Sequence, residues 1–154
     1  ISNNIFIRPA QNAIESSTMP DSPHQIWNNT IVGAGNGVTL YSGSAVEVSN
    51  NIFESCGEGI KYFGGTLTGS NNLFYNNSAY TDVADDPVFA DPDFVNAALD
   101  DYHINEGSPA IDAGIAVALT EDFDGESRPS GSGFDIGADE YQSGGEIFLP
   151  ILLK

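Results

Sequence analysis

Ser49–Phe53 reads SNNIF and lies inside the longer stretch VEVSNNIFESCGEGIKY, residues 46–62. The same five letters occupy residues 2–6, SNNLF occupies 70–74, and WNNTI occupies 27–31. Aligning the second Asn of each pair gives Asn4, Asn29, Asn51 and Asn72, separated by 25, 22 and 21 residues. A period of that size is the mark of stacked structural units. Other columns keep the same phase. A Gly- or Ala-preceded aliphatic follows at Ile14, Val38 and Ile60, and Ile26 and Val48 stand three residues before their Asn.

Within a unit the apolar residues alternate, as in Val46-x-Val48, Asn51-x-Phe53 and Ile60-x-Tyr62. Period-2 alternation over so few residues predicts short strands with one face inside, three to a unit. GAGNG, YSGSA, CGEG and FGG fill the gaps and supply tight corners. No stretch before residue 95 carries a helical period. Short strands recurring every turn predict a parallel β-helix, each turn lying about 4.8 Å above the last. Phe6, Ile31, Phe53 and Phe74 then form one interior file, and Ile14, Val38 and Ile60 another.

The key Asn stands two residues before the file residue and points the same way, into a corner. A buried amide without partners costs a few kcal/mol. In a stack, each amide donates to one neighbour and accepts from the next, so Asn4, Asn29, Asn51 and Asn72 are expected to form a ladder. The other reading makes them exposed turn formers. NNT at 28–30 and NNS at 76–78 match a glycosylation sequon, a weak signal in an Asn-rich repeat.

After Asn77 the register fails, and Asp-Pro pairs replace Asn pairs over DVADDPVFADPDFVN, residues 82–96. Proline lacks the donor a central strand uses, so residues 86–93 are expected to turn along an edge and begin closing the stack, with DYHI at 101–104 as one further strand. The chain divides accordingly into rungs over 1–81, an Asp/Pro/Gly-rich closing region or cap over 82–146, and an apolar tail over 147–154. That tail, IFLPILLK, is far shorter than the ~20 residues a membrane-spanning helix needs. The chain opens on Ile1 with the repeat already running, and a fragment or processed form, the C-terminal part of a larger chain, is expected.

DPDFVNAALDDYHINEGSPAIDAG, residues 91–114, and EDFDGESRPSGSGFDIGADEY, residues 121–141, resemble the C-terminal region of the choice-of-anchor Q family. These are secreted bacterial right-handed β-helix proteins of the pectate-lyase-like superfamily. The resemblance covers residues 86–141, and Asp139 stands where the family usually carries an aromatic. It implies an all-β right-handed parallel β-helix, about 21–25 residues per rung, with an irregular C-terminal cap, in a secreted or cell-surface setting. The tail is similar to short endings on secreted proteins.

The net charge of −18 comes from 22 acidic residues against Arg8, Lys61, Arg128 and Lys154, which excludes nucleic acid as a natural partner. Seventeen of the acids lie between Asp82 and Glu146. Three readings fit them: metal ligands, turn caps, and a solvated surface. The metal reading places Ca2+ on Asp122 and Asp124 of EDFDGE, completed through the fold by Asp112 and Asp135. The alternative makes these aspartates turn caps, with Arg128 pairing one of them, Asp135, to pin the cap. Cys56 is alone and reads as a small core residue.

Catalysis on a β-helix needs clustered acids with a basic residue, or paired carboxylates. Here Arg8, Glu15, Glu47, Glu54, Glu58 and Lys61 are scattered over the rungs. Glu47 and Glu54 point outward, His24 falls in a core-type column, and His103 reads as a packed or surface imidazole. Three functions stay open. One is a structural, adhesive or glycan-contacting surface, with Trp27, Tyr41, Tyr75 and Tyr80 as sugar-stacking candidates. Another is a polysaccharide lyase or glycoside hydrolase. The third is a stacked fibre, in which uncapped strand edges or the tail recruit another copy of the chain.

Overall fold

Each Asn pair divides its labour at a corner between two strands, and that division organises the whole chain. A computed structural model describes residues 1–17, 23–79 and 85–144. Its strands, in chain order, are β1 (Ile5–Ile7), β2 (Asn12–Ser16), β3 (His24–Trp27), β4 (Thr30–Val32), β5 (Asn36–Leu40), β6 (Ala45–Ser49) and β7 (Ile52–Glu54). They continue as β8 (Glu58–Tyr62), β9 (Thr66–Thr68), β10 (Leu73–Tyr75), β11 (Val88–Phe89), β12 (Phe94–Asn96) and β13 (Asp101–Ile104). Sheet one is β1-β4-β7-β10-β11, sheet two β2-β5-β8, and sheet three β3-β6-β9. Every pairing within these sheets is parallel, so the rungs form the expected solenoid of stacked turns.

The second Asn of each pair builds the ladder. Asn4, Asn29 and Asn51 each donate from Nδ2 to the Oδ1 of the next Asn, at 3.1, 2.9 and 3.0 Å. The main-chain N–H of the same three residues donates to that same oxygen, at 3.1, 3.0 and 3.0 Å. Asn29, Asn51 and Asn72 are buried, while Asn4, at the end of the stack, is exposed.

The first Asn has a different task. Asn3, Asn28, Asn50 and Asn71 have φ of 54°, 51°, 58° and 55°, the left-handed conformation that Asn tolerates better than other non-glycine residues. This turns the chain from sheet three into sheet one.

Phe6, Ile31, Phe53, Phe74 and Phe89 share one register across sheet one. Phe53 and Phe74 stack with centroids 5.2 Å apart, and Phe74 and Phe89 at 5.9 Å. Ile14, Val38 and Ile60 face them as a second buried file in sheet two. Each buried side chain of this size contributes ~1.5–3 kcal/mol. The glycine before the aliphatic has a steric origin. A Cβ on Gly37 would lie 2.5 Å from the Phe53 ring, and one on Gly59 2.8 Å from the Phe74 ring.

The stack continues past Asn77: residues 86–93 lie at the edge of sheet one as expected, but Val88–Phe89 pair there as a strand and not only as a turn. Ala79 bridges Glu58, Asp85 bridges Ser70, and Val88–Phe89 pair with Leu73–Phe74. Asp86, at φ 48°, occupies the place of the first Asn. Pro87 stands where the ladder Asn would be, and having no side-chain amide it ends the ladder. The register was hidden because this turn spans 15 residues from Leu73 to Val88.

β12 and β13 form an antiparallel hairpin joined by a short 3-10 turn, Ala97–Leu99, so DYHI is the expected further strand and pairs outside the stacked sheets. Beyond the hairpin the chain does not simply cap the stack; it runs along the flank. There it covers the outer face of sheet one in a second core built from Ile52, Leu73, Ile104, Ala110 and Ile136.

Candidate functional site

The flanking segment is fastened to the first-Asn column. Asn71 Nδ2 donates to the Ala113 carbonyl at 2.8 Å, and Asn50 Nδ2 to that of Ile115 at 2.8 Å. Asn28 Nδ2 donates to the Asp135 carbonyl at 2.8 Å, and Asn3 Nδ2 to that of Glu121 at 2.6 Å. The inner Asn column therefore holds the rungs together, and the outer column holds the flank. Asn28, the acceptor position of the NNT sequon, is fully buried in this contact, whereas Asn76 of the other sequon is exposed.

Arg128 is the hub of the flank and is buried, 5% exposed. Its Nη1 donates to Glu140 Oε2 at 2.8 Å, and its Nη2 to the Gly137 and Ala138 carbonyls at 2.8 and 2.6 Å. The carboxylate it meets is that of Glu140 and not the expected Asp135, which offers Arg128 its main-chain carbonyl at 3.3 Å. The reason is that the Asp135 carboxylate already accepts the Asp112 and Tyr141 N–H groups, at 2.7 and 2.6 Å. Burial nonetheless pushes the Asp135 carboxyl up to about 6. Desolvation also lowers the Arg128 guanidinium from its ordinary value, against the pull of Glu140.

Three of the four aspartates of the calcium reading, Asp112, Asp122 and Asp135, are spent on main-chain N–H groups, and the fourth, Asp124, meets His103. Asp122 Oδ1 accepts the Asp124 and Glu126 N–H groups, both at 2.9 Å, and its Oδ2 accepts that of Glu140 at 3.1 Å. Asp112 Oδ1 accepts the Ser132 and Gly133 N–H groups, both at 2.7 Å. Among the described residues, the carboxylates of Asp112, Asp122, Asp124 and Asp135 do not gather into a group that could hold one ion.

A different cluster does form. His103, Asp124 and Asp139 each place one ligating atom within 4.8 Å of the others. His103 Nδ1 lies 2.5 Å from Asp101 Oδ1, and Nε2 lies 2.6 Å from Asp124 Oδ2. Burial opposes the imidazolium, but the hydrogen bonds to Asp101 and Asp124 and the nearby Asp139 charge outweigh it and raise the pKa to about 9. Asp139, 5% exposed, accepts the Ile104 N–H at 2.8 Å and is pushed up to about 6 by burial.

A family model described as a right-handed β-helix region matches residues 1–123 of the 154. The chain belongs to the right-handed β-helix family. No curated protein and no solved structure matches it.

On this β-helix the scattered rung residues do not converge into one site. Arg8 pairs with Asp100 at 2.7 Å, and Lys61 with Glu58 at 3.7 Å, both near the surface. Glu15 contacts Asn12, Glu47 is half-buried, and His24 is exposed because it lies in the first turn. Glu54 is the exception. It is half-buried, its Oε2 is buried with no hydrogen-bond partner, and burial followed by the Asp91 charge raises its pKa.

Of the sugar-stacking candidates, Tyr41 and Tyr75 are exposed, Trp27 is half-buried with its Nε1 orphaned, and Tyr80 lies outside the described residues. The tail at 147–154 also lies outside them. No helix among the described residues is long and apolar enough to cross a membrane. Two surface features went unread in the sequence. Phe63 stacks on Tyr41 at a corner, and a recess of about 410 Å3 opens against Ile1, Ile14, His24 and Ile26 at the first-turn end.

The His103 cluster left a readable signal. Asp101-x-His103 in a strand puts both side chains on one face. The partner Asp124, 21 residues on, is brought there by the fold alone.

Proposed function

We propose that this β-helix is an extracellular or cell-surface module of the choice-of-anchor Q type, whose role is to present a glycan-contacting face. The supporting observation is the aromatic corner. Tyr41 and Phe63 stack with centroids 5.4 Å apart and an 11° interplanar angle, 38% and 58% exposed. The Lys61 ammonium lies 5.7 Å from the Phe63 ring centre. Flat rings held rigidly in water suit the C–H faces of a sugar, at little cost in side-chain entropy. The charge of −18 disfavours polyuronates and selects neutral polysaccharide.

Retention on cellulose, xylan and mannan, compared between the natural chain and Phe63→Ala and Tyr41→Ala, tests the reading. Retention lost in both variants supports it, and no retention, or equal retention, sinks it. Fractionation of the producing cells tests the location; an intracellular pool alone rejects it.

Glu54 favours a second reading, a polysaccharide hydrolase or lyase of the pectate-lyase-like superfamily. A carboxyl whose pKa is raised by burial and an adjacent acid is suited to donate a proton to a leaving oxygen. Release of reducing ends or unsaturated products from a polysaccharide panel, abolished in Glu54→Gln, supports it; the absence of any product rejects it.

Stacking of copies is the third reading. β1, β2 and β3 are edge strands of their sheets, beside the recess at Ile1 and Ile14. Sedimentation at rising concentration tests it, and a monomer throughout rejects it.

A further inference from the structure

We propose that His103, Asp124 and Asp139 bind one divalent transition-metal ion of the zinc class, with Asp101 orienting the histidine. The three ligating atoms lie within 4.8 Å of one another and come from three separate segments: β13, the loop after Glu121, and the stretch that closes on Arg128. A tetrahedral ion holds its ligands about 2.1 Å away, hence roughly 3.4 Å from each other, so small side-chain movements complete the site.

Asp101 Oδ1 sits on Nδ1 at 2.5 Å and so directs Nε2 toward Asp124 and Asp139. That carboxylate–imidazole arrangement is the one that orients metal-binding histidines. Asp139 is buried and anchored by the Ile104 N–H, whereas the His103 and Asp124 side chains are 46% and 44% exposed. The buried carboxylate forms the floor, and the open side leaves a position for water, as in three-ligand zinc centres. Asp122 and Glu126 add negative charge nearby.

One nitrogen and two carboxylates suit zinc, cobalt or nickel. Calcium and magnesium favour all-oxygen shells of six or more ligands. The competing account makes His103 a charged pin between Asp101 and Asp124. In it a proton sits on Nε2 where the ion would bind, and metal binding releases that proton to solvent.

Calorimetric titration of the chelator-treated full chain with ZnCl2 separates these accounts. The expected result is saturable uptake of one ion per chain and a melting temperature raised by several degrees, with neither effect from equal CaCl2. His103→Gln and Asp139→Asn are each expected to weaken uptake at least tenfold, and Asp101→Asn by roughly 10–100-fold. Glu106→Gln, at an exposed acid elsewhere, should leave uptake unchanged. Should a variant fail to fold, protection of His103 from diethyl pyrocarbonate by Zn2+ is read on the natural chain by mass spectrometry, with exposed His24 as reference. No saturable zinc uptake, uptake unchanged in the His103 and Asp139 variants, equal response to calcium, or unprotected His103 would each overturn the proposal.

Discussion

Asn50 grips Ile115 by both of that residue's main-chain polar groups. Its Nδ2 donates to the Ile115 carbonyl at 2.8 Å, and its Oδ1 accepts the Ile115 N–H at 2.9 Å. A side chain thus imitates the edge of a strand, 65 residues away in sequence. Asn50→Ala loses both bonds and places alanine at φ 58°. A loss of ~2–4 kcal/mol is expected in urea unfolding. Asn50→Gly, which relieves the backbone and still lacks the bonds, should recover ~1 kcal/mol of it.

The ladder should be strongest in its middle. Asn51 donates to Ser49 and Asn72 and accepts two bonds from Asn29, all buried, so Asn51→Ala is expected to cost about 3 kcal/mol. Asn4 sits at the exposed end, and Asn4→Ala should cost about 1 kcal/mol or less. Equal losses in thermal unfolding would contradict a stacked ladder.

Gly59→Ala is expected to destabilise by ~1–3 kcal/mol, because the new methyl meets the Phe74 ring. Combined with Phe74→Leu, the loss should fall short of the sum by ~1 kcal/mol. A double-mutant cycle measures that coupling directly.

Breaking the buried pair at the hub should be severe. Arg128→Met leaves the buried Glu140 carboxylate without its cation, held only by the Ser130 and Asp135 N–H groups, and takes a donor from the Gly137 and Ala138 carbonyls, an expected loss of ~3–5 kcal/mol. Amide hydrogen exchange should show residues 135–140 losing protection well before the ladder does.

The Asp135 carboxyl, raised from 3.8 to about 6, holds its proton more tightly folded than unfolded. Its contribution to stability is full below the unfolded value and is lost as pH rises through about 6. Urea midpoints measured from pH 4 to 7 should therefore carry a falling component that Asp135→Asn removes. An unchanged slope in that variant would refute the assignment.

The repeated side chains made the solenoid legible. The second Asn and the file residue recur at a fixed offset, and the structure stacks both columns in register. The first Asn recurs as faithfully, yet its role depends on φ and on a segment far along the chain, and neither is written in the period. Asp86-Pro87 kept the corner while discarding both the Asn letters and the turn length, so its strand passed for a loop. In the flank, partners were unreadable because contacts such as Arg128 with Glu140, or His103 with Asp124, follow from which backbone amides had already claimed the other carboxylates.

The outer Asn column also bears on how such a chain changes over evolutionary time. Solenoids usually lengthen by duplicating a repeat, since each unit asks only for a neighbour like itself. Here Asn3, Asn28, Asn50 and Asn71 are tied to fixed addresses on a non-repeating strip. An inserted rung would throw every tie on one side of it out of step. The flank thus acts as a gauge of rung number across the stretch it covers, and growth by duplication is free only where that strip does not reach.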